Sequence, residues 1–159
     1  MESKQEILAK FRPKAVLKAL TPQARRAVPS GMLVDDLLPL LRLPFRIGRE
    51  SRVQKIEGLW HRVERPRNFD GPQHEPTNEV YLLDGGELLQ ISREHLQIEE
   101  VAGGGWRVVD RGSACGSVVG GKVIGGEDAG GAGPLADGDT IVLGVEGVSP
   151  YRYQFITLG

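Results

Sequence analysis

Asp110-Arg111-Gly112-Ser113-Ala114-Cys115-Gly116-Ser117 is the stretch on which the reading of this chain turns. It is polar, rich in turn formers, and set between two apolar runs, Trp106 to Val109 and Val118-Val119. Outward from it, short runs with period-two alternation recur between turn signals, which is the pattern of strands. Upstream, Leu41, Leu43, Phe45 and Ile47 alternate on one face of a first strand that delivers Arg49 at its end. Val80 to Leu83 is a second strand, closed by Asp84-Gly85-Gly86. Leu96 and Ile98 alternate after His95, and Gly103-Gly104-Gly105 turns that strand back into Trp106 to Val109. Downstream, Gly120-Gly121 makes a tight hairpin of Val118-Val119 and Lys122-Val123-Ile124. Asp137-Gly138-Asp139 leads into Thr140 to Leu143, and Tyr151, Tyr153 and Phe155 share one face of a last strand. Many short strands with regular turns and no intervening helices predict an all-β sandwich.

Composition agrees with that class. The 159 residues are 40% hydrophobic and 26% charged, the balance of a soluble globular domain with room for one core and an appendage. The 22 glycines suit a chain that turns often. One cysteine excludes an internal disulfide and points to a reducing compartment, so a cytoplasmic location is expected. No apolar run approaches membrane-spanning length, and the first 20 residues lack the apolar block of a secretory signal.

Two regions depart from a minimal sandwich. Ile7, Leu8, Phe11, Ala15, Leu17 and Leu20 fall near helical spacing, broken at Pro13, and Thr21-Pro22 makes a cap and first turn for a short helix over Gln23 to Ala27. Residues 1–31 are therefore expected to be a partly helical arm on a sandwich spanning 32–159. Residues 1–29 hold seven Lys or Arg against two Glu, a balance of +5, which leaves −6 for the rest of a chain whose net charge is −1. Such an arm could reach an acidic partner or its own domain, or lie solvated. The second region, residues 50–77, is a long inserted loop holding Trp60, His61, Phe69 and three prolines, with its apolar residues folding back onto the body or meeting a partner. Gly125 to Gly133 is expected to be a mobile loop.

In the order Ile47-Gly48-Arg49, Ser92-Arg93-Glu94-His95, Asp110 to Ser117 and Leu135-Ala136-Asp137-Gly138-Asp139-Thr140-Ile141-Val142-Leu143-Gly144, these segments resemble the forkhead-associated (FHA) family. The resemblance runs over residues 43–157. It implies an FHA-type β-sandwich that docks a phosphothreonine-containing protein or peptide on loops at one end, in Ser/Thr-kinase signalling or complex assembly. Matched residue by residue, it implies that Arg49 and Ser92 hold phosphate, that Arg93 assists, and that Ala114 and Cys115 lie where the peptide passes. Gly48, His95 and Gly116 would support the loops. The residue types fit the task, since a phosphate calls for a planar, permanently charged donor with hydroxyl or backbone donors around it.

The departures from the family pattern fall in the third motif. Thr-Asn-Gly is common there, and this chain has Ala114-Cys115-Gly116; a second Asn-Gly, in the following hairpin, reads Gly120-Gly121. The family's Asn grips the peptide backbone with a two-ended amide, and its Thr adds a phosphate contact. A methyl and a thiol do neither well. Losing one such hydrogen bond costs about 1.5–3 kcal/mol. The alternative reading is accordingly a degenerate FHA domain that binds partners without phosphate. Thr21 in the basic arm, followed by Pro, offers a second variant: a phosphorylated arm folding back onto its own pocket.

Other chemistries find less support. Gly116 to Lys122 imitates a P-loop, but Val123 stands where a magnesium-holding hydroxyl is needed and Gly125-Gly126 leaves no helix. Gly112 to Ser117 imitates the nucleophile turn of a cysteine hydrolase, with Cys115 attacking and His61, His74 or His95 as base, yet that architecture needs two barrels. No enzyme activity is therefore expected. The three His and one Cys lack ligand spacing, so neither metal nor cofactor is implied. Nothing beyond the arm suggests nucleic acid.

Overall fold

The computed structural model describes residues 1–62, 77–86 and 88–159. Two sheets form the body. One runs β10-β9-β12-β13-β1-β2, the other β11-β8-β7-β3-β6, with β1 Ala15–Ala19, β2 Leu37–Pro39, β3 Phe45–Arg49, β6 Val80–Leu82, β7 Leu96–Glu100, β8 Trp106–Asp110, β9 Ser117–Val119, β10 Lys122–Ile124, β11 Gly131–Leu135, β12 Thr140–Leu143 and β13 Arg152–Thr157. A separate hairpin joins β4 Val53–Ile56 to β5 Leu59–Arg62. Neighbours pair antiparallel except β3 with β6. This is the all-β sandwich that the alternation predicts.

The inward faces close on each other as the period of two requires. Leu17, Ile141, Tyr153 and Phe155 from one sheet meet Ile47, Leu96, Ile98 and Val108 from the other, all buried. Trp106 of β8 meets Phe155 of β13 edge to face, with centroids 5.1 Å apart, and so ties the sheets together. β3 begins later than the alternation suggests. Pro44 lacks the N–H a ladder needs, and Leu41 stays exposed while Phe45 and Ile47 are buried.

The arm is the main correction. Only Lys4–Ala9 (α1) is helical before Pro13, and no residue of it is buried. Residues 15–19 are a strand, wedged between β13 and β2, with Ala15 opposite Thr157 and Leu17 opposite both Phe155 and Leu38. Pro13 ends the helix, and five mostly apolar residues are too few for period alone to separate strand from helix. The open slot beside β13 decides. The short helix after Thr21 forms as its cap signals imply: it is α2, Pro22–Ala27, with Thr21 Oγ1 accepting from Ala24 N at 2.9 Å. It packs on the sandwich through buried Ala24 and Ala27, and Tyr153 Oη donates to Ala24 O at 2.8 Å. The sandwich thus takes in residues 15–28, which belong to the segment read from the sequence as the arm. Lys18, Arg25 and Arg26 go with the body. Lys10 pairs with Glu2 and Lys14 with Glu100, so the projecting segment is far less basic than the sequence count implied.

The glycine-rich run also changes character. Gly131 to Leu135 is β11, in register with β8 from Asp110 to Trp106. A Cβ on Gly133 would lie 2.7 Å from Ile124 Cδ1, so the bare backbone lets Ile124 cover it. Glycine here permits close approach, where composition alone suggests mobility. In the long insertion, the described part is the β4–β5 hairpin, with Ile56 and Leu59 exposed. Phe69 and His74 lie outside the described residues.

Candidate functional site

Three loops and a strand end meet at one end of the sandwich. Backbone bonds stitch them: Arg49 N donates to Ser92 O (2.9 Å), Glu50 N to Leu82 O (2.8 Å), Arg111 N to His95 O (2.8 Å) and Gly144 N to Gly116 O (2.9 Å). The end of β3, loop 83–95, loop 111–116 and loop 144–151 therefore form one surface.

Two buried carboxylates build the loops. Asp84 Oδ1 accepts from Gly86 N and Tyr151 Oη, and its Oδ2 accepts from Gln90 N at 2.7 Å and Ile91 N at 2.9 Å. Asp110 Oδ1 accepts from Gly112 N and Ser113 N, and its Oδ2 accepts from the hydroxyls of Ser113 (2.6 Å) and Ser117 (2.7 Å). A buried carboxylate with four donors is fully satisfied and fixes every backbone it touches. Burial, and then the charge of Asp84, push the Tyr151 hydroxyl's pKa upward, so it stays a donor. The role of Asp84 goes unread in the sequence, where Asp-Gly-Gly signals only a turn. Its spacing to Gly86, two residues on, is the signal available.

Arg49 leaves β3 half-buried. Its Nε donates to Ile91 O at 2.9 Å. Its two terminal nitrogens have no acceptor among the described residues, and no carboxylate pairs with it there. Burial lowers its pKa, while Asp84 opposes that fall and Arg93 adds to it. The guanidinium is thus desolvated and oriented, with four N–H groups to spare. Ser92 follows Ile91 directly. Its Oγ accepts from Ala114 N at 3.0 Å, which leaves the hydroxyl proton to donate. Arg49, Ser92 and Ala114 are thereby brought together.

Gly48 is needed for close approach. A Cβ there would lie 1.9 Å from Arg93 O and 2.5 Å from Asn78 Nδ2. Asn78, unread in the sequence, spans this crossing: its Nδ2 donates to Arg93 O at 2.8 Å and its Oδ1 accepts from Arg111 Nη1 at 2.7 Å. Arg111 also pairs with Glu94. Arg52 pairs with buried Glu50 at 3.1 Å. Both cations are committed to carboxylates. Arg93 projects an exposed side chain.

His95 is fully buried and joins two loops. Its Nδ1 accepts from Ser92 N at 3.0 Å, which assigns the proton to Nε2, and that proton goes to Gly116 O at 2.8 Å. Burial, opposed by the Gly116 carbonyl and the charges of Asp110 and Asp84, lowers its pKa below that of a free imidazole. Gly116, at φ 81°, adopts the left-handed conformation that closes loop 111–116. Cys115 is partly buried, with Sγ 3.5 Å from Leu89 O. With both nitrogens engaged, His95 has none to offer Cys115 as a base. His61 lies exposed on the β4–β5 hairpin.

Thr21 is not placed for the arm arrangement. Its hydroxyl donates to Pro150 O at 2.5 Å while capping α2, and β1, which ends two residues earlier, is held in the sheet. A phosphate there would remove the donor, and a folded-back tail would have to unpair β1. Among the described residues no cluster of His, Cys, Asp and Glu is placed to hold a metal, and no helix is long and apolar enough to cross a membrane.

Residues 72–144 match the family model of the FHA domain. This span takes in loops 83–95 and 111–116, whereas Gly48 and Arg49 lie N-terminal to it and join the site through β3. The family consists of protein-interaction modules that bind phosphopeptides. A search of curated proteins finds no match to this chain.

Proposed function

We propose that this FHA-type sandwich docks a phosphothreonine-containing partner protein on the loops around Arg49 and Ser92, in kinase signalling or the assembly of a complex. The observation that carries the reading is Arg49: a half-buried guanidinium tethered by Nε alone, lacking a carboxylate among the described residues, beside a serine whose proton is free to donate. An unpaired charge taken out of water is costly unless a ligand of opposite sign completes it. A phosphate monoester supplies that charge and accepts from the guanidinium and the hydroxyl at once. Arg93, exposed at the rim, adds positive potential, and Ala114 and Cys115 flank the path of the peptide. The partner is a second protein, since Thr21 is occupied in capping.

Binding of a degenerate phosphothreonine peptide library to the wild type and to Arg49→Ala tests this, with the unphosphorylated library as control. Binding should require the phosphate and fall roughly 10- to 100-fold in the variant, the cost of losing charge-assisted hydrogen bonds. Equal binding of both libraries would replace this reading with a phosphate-independent docking domain, as the loss of Asn at Cys115 suggests.

A further inference from the structure

Arg49 is aimed by a hydrogen bond from Nε to Ile91 O, and that carbonyl is the end of a relay. The N–H of the same residue donates to Asp84 Oδ2 at 2.9 Å, and the Ile91 side chain is buried. The other carboxylate oxygen, Asp84 Oδ1, accepts from Tyr151 Oη at 2.9 Å, and that hydroxyl oxygen accepts in turn from Gly85 N at 3.1 Å. Tyr151 stands just before β13, which belongs to the sheet opposite β3. Its backbone is held on both sides: Leu143 N donates to Tyr151 O at 3.1 Å, and Thr21 Oγ1 donates to Pro150 O at 2.5 Å. Tyr151, Asp84 and Ile91 are all buried, so water does not compete for these bonds. The guanidinium is thus oriented from the far sheet, through a residue that lies outside all the sequence motifs.

We propose that Tyr151 is a positioning residue for phosphate capture: through Asp84 and the Ile91 peptide it holds the Arg49 guanidinium in the orientation in which a phosphate meets it. Tyr151 itself touches no ligand. The inference rests on the phosphothreonine reading above. A long arginine side chain loses rotamer freedom when it is captured by a ligand, and one already tethered at Nε loses less. Without the Tyr151 hydroxyl, Asp84 Oδ1 keeps Gly86 N alone of its two donors. The carboxylate is then free to turn, which loosens its hold on Ile91 N and so on the carbonyl that aims Arg49.

Tyr151→Phe, Arg49→Ala, their double variant and Tyr153→Phe test this. Tyr153 Oη donates to Ala24 O, off the relay, so Tyr153→Phe is the control for losing a buried hydroxyl. In the ligand-free protein, hydrogen exchange at the Arg49 Nε–H, followed by NMR, should quicken in Tyr151→Phe and stay unchanged in Tyr153→Phe. With a fluorescent degenerate phosphothreonine peptide pool as probe, Tyr151→Phe should weaken binding about fivefold, within the range for neighbours in one hydrogen-bond network. In the Arg49→Ala background the same substitution should cost no more than about twofold, since no guanidinium is left to aim. A purely structural role predicts equal losses in both backgrounds. That result, or an unchanged affinity or exchange rate, overturns this inference and leaves the proposed function standing. If thermal unfolding shows that Tyr151→Phe is not folded, Thr21→Val, which frees Pro150 O beside it, carries the same cycle. Absence of phosphate-dependent binding in the wild type overturns both readings.

Discussion

At the scale of single residues, the site rests on what cannot be added as much as on what is present. A methyl at Gly48 would meet Arg93 O at 1.9 Å, and the neighbour is backbone, which cannot swing aside. Gly48→Ala is therefore expected to destabilise the fold by about 1–3 kcal/mol, as overpacking does, and to pry the Ser92–Arg93 turn from β3. Denaturant unfolding and phosphopeptide titration of this variant would show both losses. Cys115 offers the opposite experiment. In Cys115→Asn one amide N–H can take Leu89 O, now 3.5 Å from Sγ, and aim the remaining amide atoms at a peptide backbone. Affinity for a phosphothreonine peptide should rise about tenfold, the worth of one added hydrogen bond to a poorly solvated group. An unchanged isothermal titration would mean that the peptide does not pass Cys115.

At the scale of elements, the pocket depends on a strand end being clamped to a turn. Asn78 does this from just before β6, linking Arg93 O to Arg111 and, through its own N–H, to Tyr81 Oη at 3.1 Å. Asn78→Ala should lower phosphopeptide affinity several-fold while Tm falls only slightly, because Arg111 keeps Glu94 and the core is untouched. Equal affinity in a fluorescence titration would show the turn to be held without the clamp. The N-terminal elements divide just as sharply. α1 buries nothing, whereas β1 is an inner strand with Ala15 and Leu17 in the core. Removing residues 1–12 should leave the unfolding transition within about 1 kcal/mol of the full chain, since only exposed contacts go. Removing residues 1–20 exposes the edges of β13 and β2 and should abolish cooperative unfolding, as followed by circular dichroism.

At the scale of the whole molecule, loop geometry and stability share a proton. The folded protein holds His95 neutral, with its pKa below that of the unfolded chain, where an imidazole titrates near 6.5. Below about pH 6.5 the unfolded state takes up a proton that the folded state refuses, so stability present at neutral pH is lost as pH falls toward the folded-state pKa. The same proton would face Ser92 N–H at Nδ1 and break the link between the two loops. Denaturation midpoints should therefore drop between pH 7 and pH 5, with phosphopeptide affinity falling in parallel. Midpoints flat across that window would mean that protonated His95 is accommodated.

Strand alternation and turn chemistry were enough to give the sandwich, because a period of two and glycine-closed turns are local properties of the chain. The segments around Gly48, Arg49, Ser92 and His95 were singled out by their resemblance to a family pattern, and backbone bonds between their loops bring them to one surface. Three things needed the tertiary structure. Residues 15–19 became a strand only because β13 and β2 leave a slot between them, and five apolar residues carry no period that says so. Gly131 to Gly133 joined a sheet because Ile124 covers bare backbone from another strand, an approach composition cannot register. Asn78 and Asp84 acquired their roles from partners distant in the chain or on the far side of a loop. Local signals fix what a segment can do; which of its options it takes is set by the neighbours that folding brings to it.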